Sequence, residues 1–362
     1  MMAPQPRPGI LDIAPYVGGE AHAPGVAQPI RLASNEGALG PSPRAMEAYK
    51  ALAGELHRYP DGGATLLRDA IGRRYGLDPA RIVCGAGSDE LIALLVRAYA
   101  GPGDEVLYSR HGFLMYAICA KSVGAVPVTA PETGLKADVD QLLAHVSERT
   151  KVVFLANPNN PTGSYLTQEE VARLRAGLPK HVILAVDAAY AEYVRRNDYS
   201  AGIELVDAAD NTVMLRTFSK AYALSALRLG WAYCPPGIAD VLNRVRGPFN
   251  VAQAAQVAGI AAMEDIAHTE AQVELNEAVR PWFAAEVEAL GLKVWPSVAN
   301  FVLIDFGDRD AESARLFLKE NGVLIRQMGG YGLPHCLRAT IGTRAEMEAV
   351  LNGLRAWIET RR

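Results

Sequence analysis

The strongest constraint on the fold is an alternation that runs through the middle of the chain. Apolar, β-branched runs ("DEVLYS", "AVPVTA", "KVVFLA", "HVILAVD", "TVMLRT" and "GWAYCP") are separated by stretches of helical pattern. Runs of this length suit buried strands, and strands alternating with helices of ordinary length are joined by crossovers. The spacing therefore predicts βαβ units and a mostly parallel sheet covered by helices, an α/β fold. Upstream, an amphipathic helix is expected from about Arg44 to Gly54, and "TLLRDAIGRRYG" reads as another, stopped by Gly76. "RIVCGAGSDELIALLVRAYA" reads as a strand, a glycine turn and a helix. Near "GPFNVAQAAQVAGIAAMEDIAH" the pattern changes to long helices, and "KVWPSVANFVLIDF", "GVLIRQ" and "CLRATIGT" predict strands of a smaller unit. The 362 residues thus divide into an arm that also contributes to the smaller unit (1–42), a large domain (43–255) and a small C-terminal domain (256–362).

Bulk properties exclude several classes. The formal net charge is −4, with no basic excess to neutralise a phosphate backbone, so nucleic acid is not an expected partner. The longest apolar runs are too short to cross a bilayer, and the N-terminal residues lack a signal pattern. Cys84, Cys119, Cys234 and Cys336 are far apart without a CxxC pair, so neither a metal site nor a disulfide framework is expected. A cytoplasmic protein with reduced thiols is the reading.

Four stretches carry chemistry, and each has a plainer alternative. In "TFSKAYALSALRLGW" Lys220 sits in an apolar, small-residue stretch after a predicted strand, with Arg228 eight residues on. A desolvated lysine favours its neutral form, which is nucleophilic toward a carbonyl; the alternative is a lysine whose stem lies on the core with its amine in water. Ser219 and Arg228 together suit a phosphate. "GAGSDE" places Ser88 and Asp89 between strand and helix, where free N–H groups and the helix dipole attract an anion; both residues can equally be simple helix caps. "NPNNPTG", directly after "VVFLA", is either a tight loop or a rigid turn that aims Asn157 at a ligand. In "VILAVDAAYAEY", Asp187 ends a strongly apolar strand, which is costly unless it meets a cation or donors. Asp187 would suit a protonated ring nitrogen and Tyr190 a ring oxygen, the alternative being an aspartate that caps the next helix.

All of these residues fall at the C-terminal ends of predicted parallel strands, the edge where open α/β sheets bind ligands. Pyridoxal 5'-phosphate has the matching parts: an aldehyde, a pyridine nitrogen, a phenolic oxygen and a phosphate. No metal is implied by the set.

The chain resembles the pyridoxal-phosphate aminotransferases of fold type I, and among them the histidinol-phosphate aminotransferase family. "ILDIAPYVGG", "LASNEGALGPSP", "HRYPDGGATLLRDAI", "GAGSDELI", "HGFLMY", "NPNNPTG", "DAAYAEY", "TFSKAYALSALRLGW" and "LRATIGT" carry the resemblance almost end to end. It implies a seven-stranded, mostly parallel sheet sandwiched by helices plus a smaller α+β domain. It implies transamination between histidinol phosphate and 2-oxoglutarate, or between aromatic amino acids and an oxo acid. Lys220 would hold the cofactor and act as acid and base. Asp187 would pair with the pyridine nitrogen, and Asn157 and Tyr190 would bond the phenolic oxygen. Ser88, Asp89, Ser219 and Arg228 would clamp the phosphate, and Phe113 would stack on the ring. Tyr59 would reach the phosphate in a neighbouring subunit, implying a homodimer. Tyr16, Asn35, Arg326 and Arg338 would contact substrate. The chain departs from the family pattern at Gly37 in "NEGALG", at Ala223, and in the "MGGYGLPHCLR" loop before Arg338. None of these departures is expected to touch Lys220 or Asp187, so they bear on substrate choice rather than chemistry.

Overall fold

A computed structural model describes residues 4–360. Regular structure begins with β1 (Ile30–Leu32), followed by β2 (Ile82–Gly85), β3 (Glu105–Ser109) and β4 (Val126–Ala130). A small two-stranded ribbon, β5 (Glu132–Thr133) and β6 (Lys136–Ala137), was not foreseen from the apolar pattern. Then come β7 (Thr150–Ala156), β8 (Ile183–Asp187), β9 (Thr212–Thr217) and β10 (Gly230–Tyr233). The last strands are β11 (Lys293–Trp295), β12 (Phe301–Asp305), β13 (Val323–Gln327) and β14 (Cys336–Thr340).

The large sheet has seven strands in the order β2-β10-β9-β8-β7-β3-β4. All pairings are parallel except those of β10, which runs antiparallel to both neighbours. The reversal has a local cause. The connection from Thr217 to Gly230 contains only a 3-10 turn, Ser225–Leu227, and no helix to carry the chain back for a parallel crossover. Every residue of β3, β8 and β9 is buried, which explains their continuous apolar reading. β4 lies at the edge, is partly exposed, and holds Pro127, which has no N–H to give to a further strand.

Helices cover this sheet. The helix Ser88–Tyr99 buries Leu91, Ile92, Leu94, Leu95 and Val96, each contributing roughly 1.5–3 kcal/mol. The helix Thr65–Tyr75 stops at Gly76 (φ 69°), as the sequence predicts, because the left-handed turn there admits glycine without strain. The second sheet has five strands in the order β1-β13-β14-β12-β11, with only β1 and β13 parallel. It packs Val302, Ile304 and Leu337 against Phe283, Leu318 and Leu354 of the helices Ile266–Ala289, Ala311–Glu320 and Arg344–Glu359. The N-terminal segment thus reaches this sheet through β1. Among the described residues no helix is long and apolar enough to cross a membrane.

Candidate active site

The C-terminal ends of β2, β7, β8 and β9 open on one edge of the large sheet, facing the small sheet across a cleft of about 280 Å³. Register places Asp187 beside Ala156 of β7 and Leu215 of β9. Asp187 Oδ2 accepts a 2.7 Å hydrogen bond from the Tyr116 hydroxyl, and Tyr116 is itself stacked on Phe154 with centroids 4.5 Å apart. Oδ1 is buried without a hydrogen-bond partner among the described residues. Burial pushes the carboxyl up to about 6, against the pull of the Tyr116 hydrogen bond. Capping is not its role: the following turn, Ala191–Tyr193, starts at Tyr190 and has no side-chain cap. A buried carboxylate with one free oxygen is a site for a cation or an N–H donor.

Lys220 lies on the turn after β9. Its Nζ donates to the Ser34 carbonyl at 3.0 Å and sits 5.8 Å from the Tyr190 ring. Desolvation lowers the amine to about 8; Arg338 adds to the effect, and Asp89 and Glu36 oppose it. The lysine therefore belongs to the cleft, not to solvent.

At the other end, the helix starting at Ser88 has Gly87 as its N-cap (φ 82°) and no side-chain cap, so its first N–H groups keep their capacity for an anion. Arg228, itself at φ 49°, donates to Asp89 Oδ2 at 2.9 Å and to Ser219 Oγ at 3.4 Å. The cradle depends on Gly230: a Cβ there would stand 2.4 Å from the Ser88 nitrogen. Ser88, Asp89, Ser219 and Arg228 are thus brought together, as the sequence predicts.

Phe113, Tyr190, Tyr16, Asn35, Arg326 and Arg338 also line the cleft. Asn35 Nδ2 donates to the Tyr190 hydroxyl at 2.9 Å. Arg338 donates to the Asn160 side chain and to the Ala33 carbonyl, with Nε buried and unpartnered among the described residues. Arg326 donates to the Val17 carbonyl at 2.7 Å and lies over the Tyr16 ring.

Two expected residues lie elsewhere. Asn157 is fully buried, and its amide spans the backbone of Leu166, accepting from its N–H at 2.8 Å and donating to its carbonyl at 3.0 Å. Its side chain braces the "NPNNPTG" turn. Tyr59 does not line its own chain's cleft; it is 83% exposed and stacked on Phe249 at 4.7 Å.

The departures at Gly37 and Ala223 overturn an expectation, because both touch Lys220. The Ala223 N–H donates to the Lys220 carbonyl at 3.0 Å, and a Cβ on Gly37 would lie 3.1 Å from the same oxygen. Three residues of the site were not singled out from sequence: Glu36 and Asn160, which line the cleft, and Tyr116, buried and bonded to Asp187. Each lies inside a recognised motif, next to or three residues from a chosen position, and only the fold shows which way its side chain points. The one grouping with metal-ligand spacing among the described residues, Asp305, His335 and Cys336, lies outside the cleft.

The ends of the cleft fit pyridoxal phosphate: an orphaned carboxylate oxygen for a pyridine N–H, an uncapped helix start with an arginine for a phosphate, and between them an amine of lowered basicity. Comparison with known proteins agrees. Residues 27–354 match the model of the family "Aminotransferase class I and II". The chain is 63% identical to the histidinol-phosphate aminotransferase of Rhodospirillum centenum over 99% of its length and 100% of the relative's. It is 62% identical to the enzyme of that name from Paramagnetospirillum magneticum, covering 99% of both chains. The crystal structure of histidinol-phosphate aminotransferase from Sinorhizobium meliloti in complex with pyridoxal-5'-phosphate superposes with a TM-score of 0.91 at 30% identity, over 100% of this chain and 99% of that one. The chain belongs to the class I and II aminotransferases, of fold type I, and within them to the histidinol-phosphate aminotransferase family.

Proposed function

We propose that this protein transfers the amino group of L-histidinol phosphate to 2-oxoglutarate, giving imidazole-acetol phosphate and glutamate, a step of histidine biosynthesis. The observation that carries this reading is the free, buried Oδ1 of Asp187 facing the same cleft as the desolvated Lys220 amine. Pyridoxal phosphate, when bound, supplies an aldehyde for the amino group and a ring that takes up the electron pair left at the substrate's Cα.

The residues do the rest. Lys220 Nζ would hold the cofactor covalently and, when free, would take the proton from the substrate's Cα as base and deliver it as acid to the carbon that was the cofactor's aldehyde. Asp187 Oδ1 would accept the pyridine N–H and so keep that nitrogen cationic. Tyr190 and the second amide hydrogen of Asn157 would hold the phenolic oxygen, and Phe113 would cover the ring. The N–H groups of Ser88 and Asp89, with Ser219 and Arg228, bind the cofactor's phosphate. Arg338 receives either glutamate's carboxylate or the phosphate of histidinol phosphate, and Tyr16, Asn35 and Arg326 line the substrate's path.

The protein works in the cytoplasm as a homodimer in which Tyr59 reaches the neighbouring site. Supporting this are its exposure outside its own cleft and the rigid stack on Phe249.

Two measurements test the reading. Borohydride reduction of the yellow protein should fix the cofactor to Lys220, mapped by mass spectrometry, and Lys220→Ala should abolish capture. The ratio kcat/KM should favour histidinol phosphate over phenylalanine and tyrosine. Preference for the aromatic amino acids would make this an aromatic-amino-acid aminotransferase instead.

A further inference from the structure

Gly37 and Ala223 break the expected distribution of side chains. Ala223 carries a methyl at φ 53°, a region that disfavours any side chain, whereas Gly37 carries none although its φ is not positive. The two positions meet. A Cβ on Gly37 would stand 2.7 Å from Ala223 Cβ, 2.6 Å from Gln272 Nε2 and 3.1 Å from the Lys220 carbonyl oxygen. A side chain at 37 and the methyl of Ala223 therefore exclude each other.

Both sides of this contact hold the lysine. The turn Lys220–Ala223 is closed by the Ala223 N–H on the Lys220 carbonyl at 3.0 Å. Opposite it, Ser34 offers the carbonyl that accepts from Lys220 Nζ, Asn35 (φ 56°) bonds Tyr190, and Glu36 lines the cleft. Gln272 pins the end of the segment, accepting from the Leu39 N–H at 3.1 Å and donating to the Gly40 carbonyl at 3.2 Å. Gln272 Nε2 ends a flexible side chain that can turn aside, so the clash that remains at 37 is with the Ala223 methyl, relieved by lifting segment 34–40 or by pushing the turn of Lys220.

We infer that Gly37 and Ala223 are a matched pair of positioning residues, whose contact sets how closely Ser34 and Glu36 approach the Lys220 amine. The inference rests on Lys220 being the cofactor's anchor. Lys220 is faced by Arg338 and Arg228, which disfavour its charge, and by Asp89, Glu36 and Asp187, which favour it. Withdrawing Glu36 removes one of the favouring charges.

The test compares holoenzyme of wild type, Gly37→Ala, Ala223→Gly and the double variant. Three readouts are taken: the pH midpoint of the cofactor's absorption band, the thermal midpoint, and kcat and KM for the amino donor. Gly37→Ala is expected to lower the band's pH midpoint and to lose at least about tenfold in kcat/KM, the size of coupling seen between residues in contact. Ala223→Gly, which keeps the N–H that closes the turn, gives the reference values, and the double variant is expected to recover both the band midpoint and kcat/KM to that reference. A double variant as impaired as Gly37→Ala, or a Gly37→Ala band identical to wild type, overturns the pairing. Should Gly37→Ala not fold, the double variant decides alone: recovery of folding and of the band supports the pair, and failure refutes it. Borohydride capture at Lys220 in the wild type separates the two levels, since its absence strikes the anchor assignment and not the contact.

Discussion

Tyr116→Phe isolates what the Asp187 environment does. The substitution keeps the ring stacked on Phe154 and removes only the hydroxyl that donates to Oδ2 at 2.7 Å. Burial already holds the Asp187 carboxyl up at about 6, and the Tyr116 bond is the largest influence pulling it down. A hydrogen bond to an ionised group contributes about 1.5–3 kcal/mol, equivalent to about one or two pH units. The cofactor-free variant should therefore hold its proton up to roughly pH 7–8. The sign follows from linkage. A cationic ring nitrogen pairs only with ionised Asp187, so affinity falls as pH drops through the free protein's midpoint, and it starts to fall earlier in the variant. The assay is the dissociation constant of pyridoxal phosphate, followed by fluorescence from pH 5 to 9, expressed as the ratio of variant to wild type so that the cofactor's own titration cancels. The ratio should be near one at the alkaline end and rise to roughly 10–100 at the acid end. A ratio that is high but flat across pH would mean that Tyr116 only packs, and a ratio of one throughout would mean that Asp187 does not hold the ring nitrogen.

Gly230→Ala drives a methyl into the Ser88 nitrogen and the Gly87 carbonyl carbon, at 2.4 and 2.6 Å; an overpacking cost of about 1–3 kcal/mol should appear as a lower thermal midpoint with weakened cofactor binding. Arg338→Lys loses the planar fork and should raise KM for the acidic substrates by roughly tenfold or more at little change in cofactor affinity, read by steady-state kinetics. In cofactor-free protein, Lys220→Met should raise the thermal midpoint at pH 7, because the native ammonium is penalised: its proton is held to about 8 in the fold against 10.5 unfolded. Wild-type stability therefore rises with pH between those two values, and the variant's advantage should vanish above them in a calorimetric pH series. In the proposed homodimer, Tyr59→Phe should weaken cofactor affinity without moving the sedimentation coefficient.

How far the residues alone reach follows from what local chemistry can express. Asp187 stood out because a carboxylate ending an all-apolar strand needs a partner, and the structure leaves one oxygen open for it. The anion cradle and Lys220 were likewise visible, since strand ends, glycines and small residues mark them within a few positions. Side-chain direction was not. Asn157 and Tyr116 sit in motifs read as functional, yet one faces Leu166 and the other Asp187. Nor could chain order show that Ser34, 186 positions from Lys220, supplies its carbonyl, or that Gly37 rests on Ala223. The direction of β10 was missed for another reason: a strand's apolar pattern is the same in either sense, and only the lack of a helix in the preceding connection distinguishes them.

The cleft divides its labour between the two sheets, and the division bears on substrate. Groups suited to the chemistry, Asp187 and Lys220, come from the edge of the large sheet. Across from them, Arg326 and Arg338 are register partners on β13 and β14. Two guanidiniums side by side repel, and Arg338 is buried, 4% exposed. Its hydrogen bonds go to an amide oxygen and a carbonyl, and that of Arg326 goes to a carbonyl. Neutral acceptors satisfy donors but do not offset charge, so the pair carries a standing electrostatic cost. That cost falls when a dianionic group settles between the forks, because each guanidinium then gains a charge-assisted bond and the mutual repulsion is screened. A neutral aromatic side chain would relieve neither. The arrangement therefore gains most from substrates that bring two negative charges, as one phosphate dianion or as two carboxylates, whereas phenylalanine brings one.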